Sequence, residues 1–260
     1  MKHKTMTALL GLAAMTGVSA EADTIELVGV VRDFKIDHPD MQHAHKSFGV
    51  KTGVVAENLD AEGKPELSEG YDPSNAMIES AESLAQWFRD VPGVNIAWPH
   101  SIVLDNGQDE PGGVYTFARE KGMPGDLRYF FPADGKGWND DQSVSTGTHN
   151  FYFTYEVQTT FTYTDPAERD WDMEFKFVGD DDVWVFVNGK LAVDIGGVHG
   201  QTARDINVDD AAEDLGLEPG NDYDLVLFFA ERHTTESNFR IETTIQLQRV
   251  EPTNISPLFD

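Results

Sequence analysis

The run Gly179-Asp180-Asp181-Asp182 is where this 260-residue sequence is best equipped for chemistry. Three successive carboxylates stand between two apolar stretches. Side by side they repel, and near a core they lose their water. A bound cation answers both problems, and adjacent carboxylate oxygens suit a hard ion such as Ca²⁺. A solvated acidic turn is the competing reading, since such turns are frequent on acidic surfaces. The loop lacks the spaced ligands and closing glutamate of an EF-hand.

Other reactive residue types give less. His38, His43 and His45 cluster in HPDMQHAH, but their spacing matches no compact zinc motif, so a solvated loop is expected. His199 in GGVHG and His233 in ERHTT each either orient the aspartates or pack and hydrogen-bond at a strand end. A glycosidase needs two carboxylates about 5–9 Å apart across a sugar, which adjacent residues in one turn do not supply. Gly-x-Ser-x-Gly, His-Glu-x-x-His and Walker-type loops are missing from the sequence. The expectation is therefore a protein without catalysis, with glycoside hydrolysis as the remote alternative. Trp98, Trp138 and Tyr129 fall in loop-rich sequence, where they either stack on sugar rings or plug the loops into the core.

The elements that must hold the acidic run are strands. From Phe151 onward the pattern has period two: Phe151, Phe153, Tyr155, Val157, Phe161 and Tyr163 alternate with polar residues. The same alternation marks 171–177, 223–229 and 239–247, as expected for half-buried antiparallel strands. Val183–Val187 is apolar throughout and predicts a strand covered on both faces. Asn188-Gly189 then predicts a two-residue hairpin to Leu191–Ile195. Thr24–Val31 reads as a first strand, 32–72 mostly as loop, and 95–148 as loop-rich. One helix is expected over 75–90, with Ile78, Ala81, Leu84 and Phe88 on one face, Ser74 or Asn75 as cap, and Pro92-Gly93 as stop.

The formal charge is −27, with 46 acidic and 19 basic residues. No basic stripe exists to neutralise phosphates, which argues against nucleic acid and anionic lipid as partners. Zero cysteine removes disulfides and thiolate chemistry. Lys2 and Lys4, the apolar run from Ala8 to Val18, and Val18-Ser19-Ala20 read as an export leader over 1–20. That run is well short of the ~20 residues needed to span a bilayer, and no later stretch does better. The remaining 21–260 shows no linker or repeat and reads as one domain, exported and, lacking cysteine, of bacterial type.

Longer stretches carry a family likeness. VGDDDVWVFVNGKLAVDIGGVHG at Val178–Gly200 resembles the fibro-slime domain, a relative of the PA14 β-sandwich. VRDFKIDHPD, FRDVPGVN, FYFTYEVQTTFTY and FFAERHTTESNFRIET extend the likeness over nearly the whole of 21–260. The resemblance implies a mostly β fold, an antiparallel PA14-like sandwich with one helix and long loops. It implies that Asp180 and Asp181 are joined by a cis peptide and bind Ca²⁺. A second loop, Glu231 to Asn238, would add Asn238, through its amide oxygen, and Glu236. His233 would face the ligand, while Asp182 and His199 would support the metal-binding pair from behind. The implied partner is a glycan or other cell-surface or matrix ligand, bound as in an adhesin. The alternative is a structural or signalling extracellular module that uses the ion only to hold its fold.

Overall fold

The computed structural model describes residues 24–44, 46–107, 112–138 and 141–252. The leader expected at 1–20, and His45, lie outside these residues. The strands are β1 (Thr24–Phe34), β2 (Asn95–Asn106), β3 (Tyr115–Arg119), β4 (Gln142–Val144), β5 (Gly147–His149), β6 (Phe153–Thr162), β7 (Glu174–Gly179), β8 (Asp182–Val187), β9 (Lys190–Ile195), β10 (Thr202–Asn207), β11 (Asp222–Glu231), β12 (Phe239–Thr243) and β13 (Gln248–Arg249). Two four-residue helices, α1 (Ala81–Leu84) and α2 (Ala212–Leu215), complete the set. β4 and β5 pair only with each other.

The main sheet runs β10-β7-β12-β3-β2-β1-β6-β11-β8-β9, every pairing antiparallel, with β13 added to β6. Its two ends, β9 and β10, approach each other, so the sheet folds over as two layers around one core. Alternation along the strands fills that core, as with Phe175 and Phe177, Val183, Val185 and Val187, and Leu225, Leu227 and Phe229. The opposite faces of β8 and β11 are covered as well. Trp184, Phe186, Val226 and Phe228 pack beneath Val54, Val55, Ile78, Leu84, Trp87 and Phe88. β8 is therefore apolar from Val183 to Val187 because it is buried on both sides. The expected hairpin follows it, with Asn188 and Gly189 at φ of 51° and 74°, the left-handed region its tight turn requires.

Three expectations are corrected. The single helix over 75–90 is instead a 3-10 turn, Pro73–Ala76, capped by Asp72, followed by the short α1 capped by Ser80. Met77 takes φ of 57°, which ends the first turn. The carbonyls of Ala76 and Met77, which a continuing helix would use internally, accept instead from Arg232 Nη2 and Nη1 at 2.9 and 2.8 Å. Ala81, expected on the buried face, is exposed. The segment 95–148, read as loop-rich, contains the 12-residue β2 as well as β3. Pro99 is tolerated in β2 because β3 pairs only with Asp105 and Asn106, leaving one edge open there. The strand expected over 239–247 ends at Thr243. Trp98 and Tyr129 are buried, the plug reading, while Trp138 lies beneath Lys35 Nζ at 4.2 Å.

Candidate functional site

Asp180 and Asp181 form the turn from β7 into β8, and the peptide between them is cis. β7 pairs with β12, placing Gly179 opposite Phe239, and β8 pairs with β11, placing Asp182 opposite Ala230. The β7–β8 turn and the β11–β12 connection therefore join the same two strand pairs and must run side by side. A Cβ on Gly179 would lie 2.3 Å from the Asn238 carbonyl oxygen, so glycine is what lets the two connections touch.

The contacts follow. Asp180 accepts from the Asn238 backbone N–H through Oδ1 and from Asn238 Nδ2 at 2.8 Å through Oδ2. The Asn238 amide oxygen accepts from the Lys121 N–H at 2.7 Å. Glu236 pairs with Lys121 Nζ at 2.6 Å on the rim. Asp181 accepts from the His199 N–H at 3.2 Å and the Arg232 N–H at 3.3 Å. Asp182 turns the other way: it accepts from the Gly197 N–H and from Arg232 Nε at 2.6 Å, both side chains fully buried. His199 places Nδ1 2.9 Å from the Gly200 carbonyl oxygen. His233 places Nδ1 2.7 Å from the Thr234 carbonyl oxygen and Nε2 3.1 Å from Lys46 Nζ.

The charges at this site are out of balance. Asp180, Asp181 and Glu231 are all buried. Burial pushes the Asp180 carboxyl up to about 7, against the pull of its bonds to Asn238. Burial also raises Asp181 well above the carboxylate range, and the Asp180 and Asp182 charges raise it further. Glu231 is raised in the same way, first by burial and then by Asp181 and Asp180. Its Oε2 has no hydrogen-bond partner among the described residues. The nearby buried cation, Arg232, is shared with Asp182 and with the carbonyls of Asp40, Ala76 and Met77. The turn faces an open cavity of about 370 Å³ that also touches Phe48, Val198, His199, His233 and Glu236.

A hard cation fits this donor chemistry. The groups are buried carboxylates whose charge Arg232 offsets only in part, while the Asn238 amide turns its nitrogen to Asp180. Among the described residues, no three acidic or histidine side chains are already gathered closely enough to hold an ion. Any ion here would draw on the aspartate pair together with neighbouring carbonyl or solvent oxygens.

Sequence reasoning missed Glu231, Arg232 and Asp40. Asp40 is buried and accepts from the Glu79 N–H, Ser83 Oγ and Trp87 Nε1 at 2.7–2.9 Å, tying the HPD stretch to α1. His38 of that stretch is buried against Gln86, not solvated. A charged pair, Glu231-Arg232, closing the apolar run 225–230 was the available signal: a charge at the end of a buried strand requires a partner.

Comparison with known proteins identifies the family. A PA14 domain model matches residues 109–258. The chain belongs to the PA14 domain family. Three proteins of Dictyostelium discoideum are similar to it over most of its length. Protein psiQ is 36% identical over 83% of this chain and 20% of its own length. Protein psiR is 36% identical over 80% and 20%, and protein psiH 33% identical over 95% and 34%. The PA14 chain thus spans between a fifth and a third of the length of these relatives. One solved structure, an anti-sigma factor domain-containing protein, aligns over 54% of the chain and 40% of its own at 15% identity and a TM-score of 0.31, too low to carry any argument. No helix among the described residues is long and apolar enough to cross a membrane.

Proposed function

We propose that this PA14 domain is an exported, Ca²⁺-dependent binding module for a glycan or similar surface ligand, and that it performs no catalysis. The observation that carries the reading is the excess of buried acid at a solvent-open turn. Asp180, Asp181 and Glu231 exceed what Arg232 neutralises, and the cavity gives a ligand access to them. Asp180 and Asp181 would hold the ion with Glu236 on the rim, while Asn238, whose amide oxygen is taken by the Lys121 N–H and whose amide nitrogen bonds Asp180, would orient Asp180 rather than supply the ligand expected from the sequence. Asp182 and His199 brace the pair, the first through Arg232 and the second through its backbone N–H. When bound, Ca²⁺ supplies coordination positions that vicinal hydroxyls can occupy in place of water. The affinity of one such site is weak, and many copies on a surface would make it useful. The leader-like residues 1–20 support export, and the lack of cysteine fits a bacterial source, while the relatives named above are from Dictyostelium.

Calorimetric titration of Ca²⁺ into the wild type and the Asp180→Ala and Asp181→Ala variants tests the ion. Unchanged binding in both variants sinks the assignment. A glycan array with Ca²⁺ and with chelator tests the ligand. A Ca²⁺-raised melting temperature without glycan binding would make the ion structural, and release of reducing ends from glycans would make the protein a hydrolase.

A further inference from the structure

β2 and β3 pair only at Asp105–Thr116 and Asn106–Tyr115 and then part, while β3 pairs along its whole length with β12. The split holds a cavity of about 210 Å³. His100 lines it from β2, Phe117 and Arg119 from β3, and Tyr129, Phe130 and Phe131 from the segment that follows. The charge here runs against the rest of the chain, which carries 46 acids to 19 bases. Arg119, Arg128 and Lys136 make no ion pair among the described residues. Each lies instead over an aromatic ring: Phe117 at 4.9 Å, Tyr129 at 5.0 Å and Trp98 at 5.7 Å. The Arg119 side chain donates only to the Ala118 carbonyl, 2.8 Å from Nη1. Asp126, the one acid lining the cavity, is exposed and pairs with none of these cations. Their field reaches inside: burial first, then Lys136 and Arg119, push the His100 imidazole down to about 4 and keep it neutral. Tyr129 is held here at a cost. Its φ of 70° lies in the left-handed region that a bulky side chain rarely adopts, and its buried Oη has no hydrogen-bond partner among the described residues.

We propose that the split between β2 and β3 is a second binding site and that its ligand class is a small aromatic carboxylate. Arg119 takes the carboxylate in a charge-assisted bond, and Lys136 and Arg128 add to the field that draws it in. Phe117 and Phe131 meet the ring edge-on or offset, the arrangements aromatic pairs prefer. The Tyr129 hydroxyl gains the acceptor it lacks. The size agrees, since an apolar cavity of about 150 Å³ accommodates benzene and this one has room for one ring and its carboxylate. No residue lining this cavity also lines the one at the acidic turn, and the site calls for no cation. It therefore stands independently of the Ca²⁺ reading above.

The test uses the full chain in chelator. Benzoate, phenylacetate and cinnamate are titrated by NMR against wild type, Arg119→Gln, Lys136→Gln and Tyr129→Phe, with benzyl alcohol, cyclohexanecarboxylate and inorganic phosphate as probes that each lack one half of the ligand. At least one aromatic carboxylate should bind the wild type with a Kd of about 1 mM or tighter and shift the His100 ring resonances. The three partial probes should bind at least about tenfold more weakly. Arg119→Gln should weaken binding at least about tenfold and Lys136→Gln about threefold. Tyr129→Phe should weaken it about threefold without lowering the melting temperature, because the hydroxyl it removes is unbonded in the free protein. Should Arg119→Gln itself melt early, Lys136→Gln, on the turn closed by the Ala133 carbonyl, carries the charge test. Failure of all three carboxylates to bind the wild type overturns the site. Wild-type binding by both charge variants overturns the role of the cations. Cyclohexanecarboxylate or phosphate binding as strongly as the aromatic carboxylates overturns the ligand class. With chelator present, none of these outcomes bears on the Ca²⁺ site.

Discussion

Arg232→Met is the most informative single change in this molecule. The guanidinium is fully buried, pairs with Asp182 at 2.6 Å, and donates to the carbonyls of Asp40, Met77 and Ala76 at 2.8–3.2 Å. It lies 4.7 Å from the Trp87 ring centroid, so methionine replaces part of its volume and none of its bonds. Removing one partner of a buried pair costs about 3–5 kcal/mol, because the other is left charged and unpaired. Three orphaned carbonyls add to this, which puts the loss at about 4 kcal/mol or more. For a chain of this size that is a fall in melting temperature of roughly 8–16 °C. The assay is urea unfolding in chelator, with Asp182→Asn and the double variant closing a thermodynamic cycle. In the Asp182→Asn background the same Arg232→Met change should cost about half as much, since no buried carboxylate is stranded. A loss below about 1 kcal/mol, or an equal loss in both backgrounds, refutes the claim that Arg232 anchors Asp182 and through it the β8 side of the acidic turn.

Further outcomes follow from the same geometry. The Asp180 carboxyl stands at about 7 in the folded protein against 3.8 as its ordinary value, so between those values the folded state holds a proton that the unfolded state releases. Its contribution to stability in chelator is therefore full below pH 4 and is lost as pH rises towards 7, by up to roughly 4 kcal/mol. Urea midpoints of wild type against Asp180→Asn from pH 4.5 to 8 should diverge in that direction, and a wild type that gains on the variant as pH rises would contradict it. The same proton competes with the ion, so Ca²⁺ affinity by calorimetry should fall between pH 7.5 and 5.5; equal affinity at both would argue against Asp180 as a ligand. Gly179→Ala drives a Cβ against the Asn238 carbonyl and should cost about 1–3 kcal/mol while weakening Ca²⁺ binding, both readable by thermal melts with and without Ca²⁺. Asp40→Ala strands the donors of Glu79, Ser83 and Trp87, and should lower stability by about 2–4 kcal/mol in urea unfolding without changing Ca²⁺ affinity.

The strand-rich class, the β8–β9 hairpin and the position of the acidic turn are all legible in the order of residues along the chain. Each of these is local. Period-two alternation states which face of a strand is buried, Asn188-Gly189 supplies the two left-handed residues a tight hairpin needs, and three adjacent carboxylates beside apolar strands require something nearby to relieve them. Wherever long-range partners outbid local preference, the reading failed. The helical spacing of Ile78, Leu84 and Phe88 is real, and all three are buried. Yet Arg232, 155 residues from Met77 along the chain, takes the carbonyls that a continuous helix would need, and Asp40 takes the Glu79 N–H. β2 was hidden because Pro99 and its polar neighbours read as loop, and only the open edge of the folded sheet makes them admissible. The site itself belongs to the tertiary structure. Asp180 and Asn238 meet because β7 pairs with β12 and β8 with β11, which forces the two connections together. No spacing along the chain encodes that adjacency, because it follows from the order in which residues 38 to 68 apart along the chain pair in the sheet.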